Sequence, residues 1–169
     1  MATEKLTLER IISGGQTGAD QGALLAARAL DIPSGGTAPQ GWWTETGCQE
    51  SLLRSFGLIE NSRPGYDART RKNVLDGDGT LIVGSDATGG TALTASIARH
   101  IGKPLFLVPF PFIADGPNAT KALMAEFQLW LRKSAIHTLN VAGNRESERR
   151  GIQQFTREFL LAALGVKTR

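Results

Sequence analysis

The sequence predicts an α/β protein: a single-domain, Rossmann-like, doubly wound and mostly parallel sheet with helices on both faces, spanning residues 1–169. Three observations predict it. Short apolar stretches alternate with amphipathic ones along the whole chain. The apolar stretches, such as "TLIVG" at Thr80–Gly84, are hydrophobic throughout, as strands buried on both faces are. Two junctions between such a stretch and a following helix, "SGGQTG" from Ser13 and "TGGT" from Thr88, are made largely of glycine.

In chain order, Leu8–Ser13 reads as the first strand and Gly18–Leu30 as the first helix, with Leu24, Ala27 and Leu30 on one face. Ile32–Gly35 is a short second strand, and the polar, glycine-rich Thr37–Glu50 is a loop. Gly57–Asn61 is a third strand. Tyr66–Leu75 is a helix with Asp67 as its N-cap. The Thr80–Gly84 strand leads into a helix over Gly90–Ile101, whose Leu93, Ile97 and Ile101 recur every four residues. Pro104–Val108 is a strand. Asn118–Arg132 is a helix with Leu123, Phe127 and Leu131 on one stripe. Thr138–Ala142 is the last strand, and Ser147–Leu164 the last helix, with Ile152, Phe155 and Phe159 toward the core. No repeat, linker or low-complexity segment interrupts the series.

Composition narrows the function classes. Hydrophobic content of 41% and charged content of 21% fit a soluble globular domain. The net charge of +3 is carried by scattered Lys and Arg, so nucleic acid is not the expected partner. No apolar run is long enough to span a membrane and no signal peptide is legible, which points to the cytoplasm. One cysteine, Cys48, excludes an internal disulfide and a cysteine-built zinc site.

The glycine junctions carry the functional signal. Crossovers in such sheets are right-handed, so every loop that follows a strand lies on one edge. A helix N-terminus there presents unpaired N–H groups and partial positive charge, and glycine lets an anion approach the backbone. Gly14, Gly15, Gln16, Thr17 and Gly18 form one such loop, and Thr88, Gly89, Gly90 and Thr91 the other. The competing reading is two tight turns. If the winding reverses after the third strand, the first strand and Thr80–Gly84 become neighbours, and both loops flank the switch point where such sheets bind ligands. A phosphate-bearing small molecule is then the expected partner. Neither loop is followed by Gly-Lys-Ser/Thr, and the first lacks the Gly-x-Gly-x-x-Gly spacing, so ATP hydrolysis and NAD-dependent hydride transfer are disfavoured. Arg69 and Asn73, one helical turn apart, and Asn140, Gly143, Arg145 and Ser147, at the end of the last strand, are expected on the same edge. Arg69 suits a phosphate or carboxylate, and Ser147 also suits a helix cap. His100 and His137 fall away from it.

Together, "SGGQTGAD", "ARTRKNVLDGDGTLIV", "TGGTALT" and "LNVAGNRES" resemble the molybdenum carrier protein family, a YpsA-like group of the SLOG superfamily that also contains the LOG phosphoribohydrolases. The resemblance runs from about Ile11 to Leu160. It implies a Rossmann-like fold, a pocket at the glycine loops, a homo-oligomer and binding of the molybdenum cofactor. For the wider superfamily it implies a nucleotide-like ligand. The chain departs from the family where "CPKGRRAEDG" is usual and "APQGWWTETG" stands at Ala38–Gly47, with Trp42 and Trp43 in place of arginines. An indole over the first glycine loop, stacking on a flat ring, is one reading. Packing or a subunit interface is the other. The departure from the LOG enzymes is larger: their Pro-Gly-Gly-x-Gly-Thr-x-x-Glu motif ends in a catalytic glutamate, and this chain has Thr94 after Thr88–Leu93. Asp20, Asp86 and Glu146 are the carboxylates expected to reach the crevice. The missing glutamate favours a binding or carrier protein over a nucleotide hydrolase or a nucleotide-ligand sensor.

Overall fold

The computed structural model describes residue 6 and residues 8–111 and 117–165. The elements in order are β1 (Arg10–Ser13), α1 (Ala19–Ala29), β2 (Ser34–Ala38), β3 (Trp43–Thr44), β4 (Gly47–Cys48), α2 (Glu50–Ser55), β5 (Leu58–Glu60), α3 (Tyr66–Asp76), β6 (Gly79–Val83), α4 (Gly89–His100), β7 (Leu105–Val108), α5 (Pro117–Lys133), β8 (Thr138–Gly143) and α6 (Ile152–Leu164). Six strands form one sheet in the order β5-β2-β1-β8-β6-β7, and every neighbouring pair is parallel. The doubly wound α/β class is therefore as expected.

One expected neighbour relation is wrong. β1 and β6 are not paired, because β8 runs between them, pairing Ile11 with Leu139 on one side and Leu81 with Val141 on the other. The last strand of the chain fills the centre of the sheet. It is apolar enough to be covered on both faces, and residue alternation divides its side chains between them. Leu139 and Val141 join the main core, with Phe127, Leu131, Ile152 and Leu160 from α5 and α6. Asn140 faces the opposite side, where α3 and α4 pack, and donates to the Thr80 hydroxyl at 3.2 Å.

α1 and α6 pack closely. Gly22 of α1 lies against the Gln153 carbonyl, and a methyl there would meet the Thr156 side chain at 3.0 Å. A second, smaller core lies beyond β2, where Leu24, Ala38, Trp42, Leu53, Phe56 and Leu58 are buried together.

Several boundaries differ from those expected. The N-cap of α3 is Gly65, with Asp67 inside the first turn. α6 begins at Ile152, not Ser147, because the Glu146 carboxylate accepts the Gly151 and Gln153 N–H groups at 2.6 and 3.0 Å and turns the chain into the helix there. The region expected as a loop holds the end of β2 and the small antiparallel β3–β4 hairpin, and α2 follows it.

Candidate functional site

All six parallel strands end on one edge, and there the protein opens into a cavity of about 230 Å³. Four segments line it: Gln16 and Asp20 after β1, Tyr66–Thr70 at the start of α3, Thr88–Thr94 at the start of α4, and Ala142–Glu148 at and beyond the end of β8. Both glycine loops thus border one cavity even though their strands are not adjacent.

The two loops use glycine for different reasons. A methyl at Gly14 would collide with the Arg69 guanidinium and sit 3.0 Å from Asp20 Oδ2. Gly18, at φ +86°, lies against the backbone of Asn144–Glu146. These glycines make room for the protein itself. A methyl at Gly89 or Gly90, in contrast, meets nothing within 4 Å. The N-cap of α4, Thr88, has extended backbone and no capping side-chain bond. The Thr91 and Thr94 hydroxyls donate back to the Thr88 and Gly90 carbonyls, both at 2.8 Å. The first-turn N–H groups of α4 therefore have no side-chain acceptor among the described residues, and Thr88, Gly89, Gly90 and Thr91 line the cavity.

Two residues that line the same cavity, Gln16 and Arg69, carry buried donors. Gln16 is only 6% exposed. Its Oε1 accepts the Thr17 N–H at 3.1 Å and the Glu45 N–H at 2.8 Å, which fixes the amide and leaves Nε2 buried with no partner among the described residues. A buried amide donor without an acceptor is costly and uncommon. Arg69 Nε is in the same condition. Arg69 Nη1 reaches Asp20 Oδ2 at 3.4 Å, a long contact, and Asp20 Oδ2 also accepts the Gln16 N–H at 3.1 Å. Burial pushes the Asp20 carboxyl above its usual range; Arg69 and the N–H groups of Gln16 and Gly14 oppose the shift without cancelling it. At the mouth, the Arg69 and Arg145 guanidinium carbons lie 5.7 and 5.5 Å from the centre of the Tyr66 ring.

Of the residues expected at the site, Gln16, Arg69, Thr88, Gly89, Gly90, Thr91, Gly143 and Arg145 line the cavity. Gly14, Gly15, Thr17, Gly18, Asn73 and Asn140 do not, and each has a structural use instead. Thr17 donates its hydroxyl to Glu45. Asn73 clamps Thr37, accepting its N–H at 2.8 Å and donating to its carbonyl at 2.9 Å. Gly15, at φ +78°, sits against Leu53 and Leu58. Asp20 is at the cavity as expected, but Asp86 pairs with Arg99 at 2.7 Å and Glu146 caps α6. The other lining carboxylates are Asp67 and Glu148. Tyr66 was also unanticipated, although its spacing of three from Arg69 placed both on one helical face.

Neither tryptophan lines the cavity. Trp42 is buried in the second core under the Arg54 guanidinium, 4.6 Å from its ring centre. Trp43 is 56% exposed and covers Gly41. Their segment does reach the first glycine loop, but through Glu45, whose carboxylate accepts from both Thr17 and Ser147. Among the described residues, no group of three or more His, Cys, Asp or Glu side chains is placed to hold a metal ion. No helix among them is long and apolar enough to cross a membrane.

An open α/β edge with a donor-lined cavity defines a ligand-binding Rossmann-like domain. The model of the circularly permutated YpsA SLOG family matches residues 11–164, and the chain belongs to that family. It is similar to a crystal structure of a "putative molybdenum carrier protein" from Syntrophus aciditrophicus, with 36% identity, a TM-score of 0.84, and coverage of 95% of this chain and 97% of that one. Comparison with curated proteins gave no match.

Proposed function

We propose that this protein is a binding or carrier protein that holds a phosphate-bearing small molecule in the cavity between the starts of α3 and α4. The observation that carries the proposal is the Gln16 amide, held so that a buried donor has no acceptor among the described residues. A phosphate oxygen supplies one, beside the Arg69 guanidinium and the open first turn of α4. Gly89 and Gly90 keep side chains out of its way.

The similar crystal structure bears the name of a molybdenum carrier, so molybdenum cofactor is the first candidate for the ligand. A nucleotide derivative is the second, because both join a phosphate to a flat heterocycle. In either case the grip is on the phosphate, and the exposed face of Tyr66 suits the ring. A cytoplasmic homo-oligomer is part of the same proposal.

A hydrolase is the alternative, favoured by one observation: Asp20 is a buried carboxyl with a raised pKa in a cavity. Against it, Thr94 stands where the LOG pattern places its glutamate, with its hydroxyl turned to the Gly90 carbonyl. Mass spectrometry of small molecules released from gently purified protein, with elemental analysis for molybdenum, tests the proposal. A stoichiometric phosphate-bearing compound is the expected result. Protein that carries none and binds none from a panel of phosphorylated heterocycles contradicts it.

A further inference from the structure

The Asp20–Arg69 pair has an unusual position for a structural ion pair. Asp20 is 4% exposed and carries a carboxylate whose Oδ2 is shared between the Gln16 N–H and one long contact to Arg69. Arg69 in turn has its Nε buried and without a partner among the described residues. The pair stands in the wall of the cavity, not behind it. An anion that takes the free donors of Arg69 and Gln16 therefore approaches Asp20 as a second negative charge, with little water to screen the two.

We propose that the cavity binds its anion together with one proton, which is taken up by Asp20. This inference rests on the reading of the cavity as an anion site and adds to it a defined stoichiometry. Before binding, the Asp20 carboxylate is counterbalanced by Arg69. With an anion on Arg69, that compensation is divided, and protonation of Asp20 by a proton from the buffer removes the repulsion. Gly14 makes the arrangement possible, since any side chain there would drive Arg69 from Asp20.

The other charged or titratable groups bordering the cavity are Tyr66, Asp67 and Arg69 of α3, and Arg145 and Glu148 after β8. The α4 segment that lines it, Thr88–Thr94, carries no charged side chain, and α1 contributes Asp20 itself. Asp67 and Glu148 are the other carboxylates bordering the cavity and thus the alternatives to Asp20. Neither is buried: Asp67 is exposed, and Glu148 is exposed with its Oε2 accepting from Asn144 at 3.2 Å.

Sulfate is the probe, because its own charge does not change between mildly acid and mildly alkaline pH. Isothermal titration of the whole protein with sulfate, in buffers of different ionisation enthalpy, reads proton uptake directly on the wild-type chain. The expected result is uptake approaching one proton per bound sulfate, and an affinity that falls with rising pH by up to about tenfold per unit within the titration window. Asp20→Asn should bind sulfate with no uptake and a flat pH dependence, whereas Asp67→Asn and Glu148→Gln should retain the slope. Sulfate bound without proton uptake at any pH in the range, or uptake that survives in Asp20→Asn, overturns this inference while leaving the anion site standing. Failure of sulfate to bind at any pH overturns the anion reading itself.

Discussion

Glu45 is joined twice to Ser147, 102 residues further along the chain: its carboxylate accepts the Ser147 N–H at 3.1 Å and the Ser147 hydroxyl. It also accepts the Thr17 hydroxyl. The β3–β4 hairpin thereby supplies an internal anion at the first glycine loop and ties that loop to the segment after β8. Burial raises the Glu45 pKa, but the bonds from Ser147 and Thr17 outweigh it and leave the carboxyl below its usual 4.5.

A carboxyl whose folded pKa lies below its unfolded one stabilises the protein above the unfolded value, and that contribution fades as pH falls through the folded one. Glu45→Ala should therefore lower stability by roughly 1–2 kcal/mol at neutral pH, the bonds being partly screened by solvent. In acid the difference should shrink. Urea denaturation at pH 7 and below pH 4 measures it. An equal loss at both would mean that packing of the side chain matters and its charge does not.

For Asp20 the sign is opposite. Its folded pKa is raised from 3.8, so the native state holds the proton more tightly than the unfolded chain. Its contribution is fully present below the unfolded pKa and is lost as pH rises through the folded one. Replacing it with the neutral isostere, Asp20→Asn, should make the protein relatively more stable at neutral pH than in acid, compared with wild type. Thermal melts across this range, showing parallel pH profiles for the two proteins, would refute the assignment.

Gly90 separates stability from function. It lies in the first turn of α4 with nothing within 4 Å of a would-be Cβ, so Gly90→Ala should stabilise the fold by about 0.4–1 kcal/mol. Gly90 lines the cavity, so the same methyl should weaken binding of inorganic phosphate there. A variant that is more stable and binds phosphate as tightly as wild type would remove α4 from the site.

Trp42 and Trp43 should behave differently from each other. Trp42 is 3% exposed, and its removal in Trp42→Ala should cost about 3–5 kcal/mol. Trp43→Ala should change stability by less than about 0.5 kcal/mol. Neither ring lines the cavity, so phosphate-bearing ligands should leave Trp43 emission unquenched. Quenching in wild type that is lost in Trp43→Ala would restore the indole as a lid.

The alternation of apolar strands and amphipathic helices was enough to read the α/β class, because strands buried on both faces leave an uninterrupted hydrophobic signature. Strand order was not legible, since nothing local to Thr138–Gly143 records that it inserts between β1 and β6. Arg69 and Arg145 were legible as cations placed where loops follow strands. Asn140 looked like a binding residue because an amide in an apolar strand is conspicuous, yet its partner is Thr80, the residue paired with it on the adjacent strand β6, and that pairing is not legible until the strand order is known. The meaning of the first glycine cluster was hidden for a similar reason. Whether a glycine clears space for a ligand or for Arg69, Leu53 and the Asn144 backbone depends on contacts with distant segments.

The most direct test of the anion site is a phosphate titration followed by amide NMR. The account predicts saturable shifts of the Gly89, Gly90 and Thr91 N–H signals and of the Gln16 side-chain NH₂. In Arg69→Ala the affinity should be about ten- to a hundred-fold weaker, the loss of one charge-assisted bond. Shifts confined to other surfaces, or none at saturating phosphate, would contradict it.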